Sequence, residues 1–303
     1  MLLSAKLRAR WHKECSKLRP LLNGYGYTCR MTSSDYNKGK RLRLHVLASG
    51  SKGNCSIVQD AATGVSLVID CGITKRAFME GCRECGVDVT RVGAIVISHE
   101  HVDHTKGVGV VTRGLAKAGV TPVVYVSDAV RAASRELEAV QEAVDMRCFT
   151  AGDAIGVVDM EVHPFRTSHD AAESFGFRVE QHGDAIGFMT DTGIVTGEAR
   201  DALRGCRVLA IEANHDLDML ANGPYPAFLK ARISSERGHL SNVQSAELLS
   251  DLLHDGLESV IGMHVSQNNN TYRLPLEALR GALSREGHPA CAFVGYQERC
   301  VSV

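Results

Sequence analysis

The sequence predicts a mixed α/β protein built in layers, and three observations carry that reading. From residue 41 onward, short apolar runs alternate with longer amphipathic stretches, the signature of strands interleaved with helices. Some strand-type runs follow one another across a turn, so the sheets are mixed rather than purely parallel. Histidines and carboxylates gather where apolar runs end, and strand-to-loop transitions are where an α/β protein places its chemistry.

Taken in order, Arg41–Ala48 alternates Leu42, Leu44 and Val46 with Arg41, Arg43 and His45, as a half-buried strand does. Cys55–Gln59 and Val65–Cys71 bracket a turn at Ala61–Gly64 and read as a hairpin. A helix follows at Lys75–Cys85, a buried strand at Val92–Ser98, a helix at Val108–Ala118, a strand at Pro122–Val126 and a helix at Ser127–Ala139. Strands are expected at Glu161–Arg166, Gly176–Glu180, Ala185–Thr190 and Arg207–Ala213. The chain closes with a helix at Asn242–His254, a strand at Val260–His264 and a helix at Leu276–Arg285. No internal repeat and no low-complexity linker interrupts 41–303, which reads as one domain.

Residues 1–40 differ. They hold the only Trp, Trp11, and nine Lys/Arg against Glu14 and Asp35, a net +7. They read as a basic extension, disordered or not native to the core, with a nucleic-acid-touching tail as the competing reading. The remaining chain carries 25 Lys/Arg against 33 Asp/Glu, a net −8, so bulk charge gives no support for nucleic-acid binding and only a local patch could. No apolar run approaches the roughly 18 residues of a membrane helix, and the first residues lack a secretory pattern. Ten scattered cysteines in a chain of 303 residues read as reduced thiols, which points to the cytoplasm.

One segment carries the chemistry: His99-Glu100-His101-Val102-Asp103-His104. Alternate residues of an extended segment share a face, so His99 and His101 can grip one ion together. Asp103 and His104 follow as the chain turns and can address a second. At this chain's own His and Asp frequencies the pattern arises by chance roughly once in a thousand such chains, so solvated loop histidines are the weaker reading. Imidazole and carboxylate donors suit zinc and tolerate manganese or iron.

This hexad resembles the hallmark of the metallo-β-lactamase superfamily. The resemblance implies a four-layer αβ/βα sandwich with metals at one edge between two sheets. It also implies ligands on later loops. It places His99, His101, His169 and Asp191 on a first ion and Asp103, His104, Asp191 and His264 on a second, with Asp191 bridging. The resemblance narrows to the bacterial WalJ/YycJ-like group. It rests on Ala48–Cys55, Leu67–Gly72, Ser168–Glu173, Glu212–Asp216, Asn222–Pro226, Arg237–Asn242 and His264–Asn270. It covers nearly all of 41–303 and leaves 1–40 outside. Members of that group are described as DNA exonucleases acting from 5′ ends, which implies a nucleic-acid substrate and two divalent ions, zinc or manganese.

Two ions a few ångströms apart can share a hydroxide, because metal binding lowers the pKa of water towards neutrality. Asp103 could orient that hydroxide as well as bind metal. His239 is the candidate general acid or phosphate donor, weighed evenly against a loop residue before a helix that Asn242 could cap. The small-residue loop holding Ser49, Ser51 and Asn54 could cradle an anion. Asp70 reads as outer support for a ligand, with Glu212 and His215 in the same role. Lys230, Arg232 and Arg237, near Tyr225 and Phe228, form the patch that could hold a phosphate backbone, against the reading of a solvated helix face. A small-molecule metallohydrolase acting on a thioester, lactone or cyclic phosphodiester is the alternative function, and a non-catalytic metal-stabilised module a third. Cys82-Arg-Glu-Cys85 is a lone C-x-x-C and reads as helix surface.

Overall fold

A computed structural model describes residues 42–303; the basic segment 1–40 lies outside the described residues. Six strands lead the chain: β1 (Leu42–Ala48), β2 (Cys55–Asp60), β3 (Ser66–Ile69), β4 (Val92–Val96), β5 (Val123–Val126) and β6 (Met146–Cys148). Seven follow: β7 (Ile155–Val157), β8 (Met160–Arg166), β9 (Phe175–Gln181), β10 (Asp184–Met189), β11 (Val208–Glu212), β12 (Ser259–Met263) and β13 (Cys291–Val294). The terminal β14 (Val301–Ser302) returns to pair with β1, giving one seven-stranded sheet in the order β14-β1-β2-β3-β4-β5-β6. The other sheet runs β13-β12-β11-β10-β9-β8-β7. Each sheet passes from an antiparallel meander into parallel strands, at β3/β4 in the first and at β10/β11 in the second.

Helices cover the outer faces. They are α1 (Lys75–Cys85), α2 (Val102–Thr105), α3 (Val108–Lys117), α4 (Asp128–Ala133) and α5 (Arg135–Glu138), then α6 (Gly197–Leu203), α7 (Leu217–Asn222), α8 (Ala227–Ile233), α9 (Asn242–Asp251) and α10 (Arg273–Arg285). One buried cluster joins Leu44 and Ile57 of the first sheet to Phe177 and Ile186 of the second, and takes in Phe78 of α1 and Leu115 of α3. A second joins Leu209 and Ile211 to Leu203, Leu249 and Leu279 on α6, α9 and α10. The layers are therefore helix, sheet, sheet, helix. Each fully buried side chain of this size contributes roughly 2–3 kcal/mol of transfer free energy. Among the described residues no helix is long and apolar enough to cross a membrane.

Local chemistry explains most boundaries. Thr74 accepts from the Ala77 N–H at the start of α1, and Gly86 ends it with φ 71°, the left-handed cap that lacks a Cβ penalty. Cys82 of the C-x-x-C is buried in the core and only Cys85 reaches the surface, so the helix-surface reading fails for Cys82. The helix expected over Ser127–Ala139 breaks at Ser134, whose hydroxyl accepts from the Leu137 N–H and restarts the chain as α5. The strands β6, β7, β13 and β14 escape the sequence pattern because runs of two to four residues hold no full period.

Candidate metal centre

Six strands that run in the same sense end at one rim. Asp70 follows β3, the hexad follows β4, His169 follows β8, Asp191 follows β10, Glu212 ends β11 and His264 follows β12. Asp70, Asp191 and His264 each take a left-handed backbone, with φ of 59°, 56° and 54°, which turns the side chain sharply off its strand. Gly72 packs so tightly against the hexad that a Cβ there would lie 1.6 Å from the Asp103 carbonyl oxygen.

Within the hexad, His99 and His101 lie on extended chain and α2 begins at Val102, so Asp103 and His104 sit on its first turn. One donor atom each from His99, His101 and His169 falls within 4.8 Å of the others, and a second such group joins Asp103, His104 and His264. His101 Nδ1 is 3.3 Å from His169 Nε2. Asp191 lies between the two groups, with Oδ1 3.8 Å from His169 Nε2 and Oδ2 3.4 Å from His104 Nε2. His264 Nε2 lies 3.6 Å from Asp103 Oδ2.

The residues fit a divalent cation. His99 Nε2, His264 Nε2 and Asp191 Oδ2 are buried with no hydrogen-bond partner, and buried polar atoms are otherwise almost always paired. The other ring nitrogens are tied back. His169 Nδ1 donates to the Gly238 carbonyl at 3.0 Å and His104 Nδ1 to Asp70 at 2.8 Å, which turns each Nε2 inward. Asp70 also accepts from the Ser98 N–H at 2.8 Å and its hydroxyl at 2.9 Å.

The electrostatics match that reading. Burial and the neighbouring imidazoles hold His99 well below the usual histidine range. Burial opposes the His104 cation, yet Asp191, Asp70 and Asp103 outweigh it and push the ring up to about 9. Burial likewise opposes the Asp103 and Glu212 carboxylates, but the adjacent imidazoles hold both below the ordinary range. The pocket thus keeps its carboxylates ionised and draws positive charge inward.

Glu212 is the hub of the far side. Its Oε1 accepts from His239 Nδ1 at 2.8 Å and His264 Nδ1 at 3.1 Å. Its Oε2 accepts from the N–H groups of Thr192 at 3.0 Å and Leu240 at 3.1 Å. Glu212 also falls in a candidate group with Asp191, His239 and His264, but those four protein donors already occupy its oxygens, so it reads as a brace. His239 is 20% exposed beside His169 and His264, and Asp103 is 23% exposed. These two face solvent while His99 and His104 are sealed. The cap expected of Asn242 belongs instead to Ser241, which forms a capping box with Gln244.

Several expected site residues do other work. Ser49 is fully buried and its hydroxyl accepts from the His264 N–H at 2.7 Å, so it positions His264 and its side chain is closed to substrate. Asn54 is buried too, and donates to Asp103 Oδ2 at 3.2 Å while its Nδ2 lies 2.9 Å from His104 Nε2. Ser51 alone of the three stands exposed on the turn. His215 braces no ligand through its side chain, whose Nδ1 is buried and unpartnered; it contributes through its backbone, which pairs with Ser241. Of the cationic patch, Lys230 Nζ donates to the Ala221 carbonyl, Arg232 is bound to Asp170, and Arg237 donates to the carbonyls of His169 at 3.0 Å and Ala171 at 3.3 Å. Arg237 is thereby a strut for the His169 loop, and among the described residues only Arg232 of the three cations has a carboxylate partner.

Sequence reasoning missed Ser98, Asp170 and the asparagines behind His264. Asp170 Oδ1 lies 3.4 Å from His169 Nε2, a proximity that its adjacency to His169 could have suggested. Asn214 donates to the His264 carbonyl at 2.8 Å and is held in turn by Asn270.

Comparison with known proteins agrees with this architecture. Residues 66–265 match the model of the β-lactamase superfamily domain. The chain is 31% identical over 246 residues to exodeoxyribonuclease YycJ of Bacillus anthracis, covering 81% of this chain and 90% of that protein. It is 31% identical over 235 residues to exodeoxyribonuclease WalJ of Streptococcus pneumoniae strain D39, covering 77% and 84%. Among solved structures, the metallo-β-lactamase fold protein YhfI of Bacillus subtilis superposes with a TM-score of 0.65 at 12% identity, over 87% of this chain and 100% of that one.

Proposed function

This chain belongs to the WalJ/YycJ-like group of the metallo-β-lactamase superfamily, and from that premise we propose that it is a two-metal phosphodiesterase degrading DNA from 5′ ends. The observation that supports the reading best is the trio of buried, unpartnered donor atoms on His99, His264 and Asp191, ringed by four further ligand residues. Zinc or manganese ions held by His99, His101, His169 and Asp191 and by Asp103, His104, Asp191 and His264 would supply an activated water and neutralise phosphate charge. Asp103, the ligand carboxylate open to solvent, accepts a hydrogen bond from the attacking water and sets its direction. His239 holds Nδ1–H against Glu212, which leaves Nε2 to carry a proton to the leaving oxygen. Asp70 and Glu212 keep the imidazoles in the required tautomer and orientation. Cys55, Cys71, Cys82, Cys85, Cys148, Cys206 and Cys300 are free thiols, which supports the cytoplasm as its compartment.

The test is an assay of the full chain, stripped by chelator and reloaded with zinc or manganese, on end-labelled single- and double-stranded DNA, RNA and a thioester. Mononucleotide release from the 5′ end of DNA is expected. Turnover of the thioester with no cleavage of either nucleic acid would replace this reading with that of a small-molecule hydrolase.

A further inference from the structure

We infer that the groove between the start of α1 and the length of α3 is the track for the phosphodiester backbone of the substrate strand, leading away from the metal centre. The inference rests on the nuclease reading and adds a binding surface to it. The groove has a volume of about 620 Å³ and is lined by Lys75, Arg76, Lys106, Arg113 and Lys117 over a floor that includes Ile73 and Gly114. Among the described residues none of Lys75, Lys106, Arg113 and Lys117 has a carboxylate within ion-pair distance, and only Arg76 is paired, with Glu80. Four cations without a carboxylate partner, of which Lys106 Nζ donates to the Lys52 carbonyl at 2.6 Å, stand out on a body whose net charge from residue 41 onward is −8.

Their placement suits an elongated polyanion. Lys106, Arg113 and Lys117 fall at i, i+7 and i+11, one face of a helix. Lys106 and Gly107 already have right-handed helical backbones ahead of α3, so the face is continuous. Eleven residues rise about 17 Å, enough for the stripe to follow several successive phosphates of one strand. Lys75 joins from the other wall because Gly114 lets its stem cross: a Cβ there would meet the Lys75 Cδ at 2.8 Å. The track also begins at the chemistry. Lys106 stands two residues past His104, and the Gly107 N–H donates to the Cys71 carbonyl at 2.8 Å, beside Asp70. A strand end at the metals and its body along α3 is the arrangement an exonuclease needs.

The test measures binding of a labelled single strand with a phosphorothioate backbone to the full chain over a salt series. The variant is K75A/R113A/K117A, with R113E as an independent charge reversal. A thermal melt and the zinc content check that fold and centre are intact. The triple variant should lose about 2 from the magnitude of the log Kd–log salt slope, roughly 0.7 for each lost contact, and R113E should weaken binding more than R113A. Wild-type salt slopes in both variants, with wild type still cutting DNA, would overturn the groove and leave the nuclease reading standing. A wild-type protein that neither binds nor cuts DNA or RNA would remove that reading and the groove with it.

Discussion

The two sheets hold their share of the centre by opposite means. The first delivers four of the proposed ligands in one contiguous run after β4, braced by Asp70 through His104. The second delivers His169, Asp191 and His264 from three separate strand ends, and Glu212 ties the assembly together through two imidazoles and two backbone N–H groups. A contiguous run inherits its geometry from a single helical turn, whereas scattered ligands need a shared anchor. The anchor should therefore matter more for stability on the second side, and the ligands themselves should matter most for chemistry on both.

Asp103→Ala sets the upper end of the scale. Hydrolysis of DNA should fall more than about a hundredfold, with an unchanged circular dichroism spectrum, because the change removes a solvent-facing ligand and spares the core. Activity above about a tenth of wild type would sink the two-metal reading. Next comes Glu212→Gln, which puts an amide donor against groups that already donate. It should lower unfolding free energy by about 2–4 kcal/mol in a denaturant titration and cut activity about 10- to 100-fold. Asp70→Asn should reach a similar 10- to 100-fold loss in zinc affinity with a smaller loss of stability, of about 1–2 kcal/mol. If Asp70→Asn proved as destabilising as Glu212→Gln, the contrast between the sheets would collapse. Smallest is Arg237→Ala, which loosens the His169 loop from outside. A reduction of a few-fold in turnover is expected from two lost bonds of about 1 kcal/mol each, with no change in the salt dependence of DNA binding.

The same contrast governs what the sequence discloses. His99 to His104 announces itself because its spacing is local, and the strand periods around it place β1 to β4 and β8 to β12 within a residue or two. His169, Asp191 and His264 become recognisable only by their order after the hexad. Ser49 reads as a substrate contact because it lies in a small-residue loop that could cradle an anion, and Arg237 because it belongs to a basic patch close to a site residue. Their partners lie 215 and 68 residues away, and no local pattern encodes such a bond. The stripe of Lys106, Arg113 and Lys117 goes unnoticed in the sequence, because only the close approach of α1 across Gly114 makes it a groove.

Asp70, Asp191 and His264 are three of the five non-glycine residues with positive φ among the described residues. An L-residue held there costs on the order of 1–2 kcal/mol, so three of the five strained positions sit where the chemistry does. Heat resistance and turnover consequently pull in opposite directions at these positions. A selection for thermal tolerance alone would drift towards glycine at the ligand sites and silence the enzyme. A cation bound only by the folded chain shifts that balance, since mass action then favours the strained conformation and rewards keeping it.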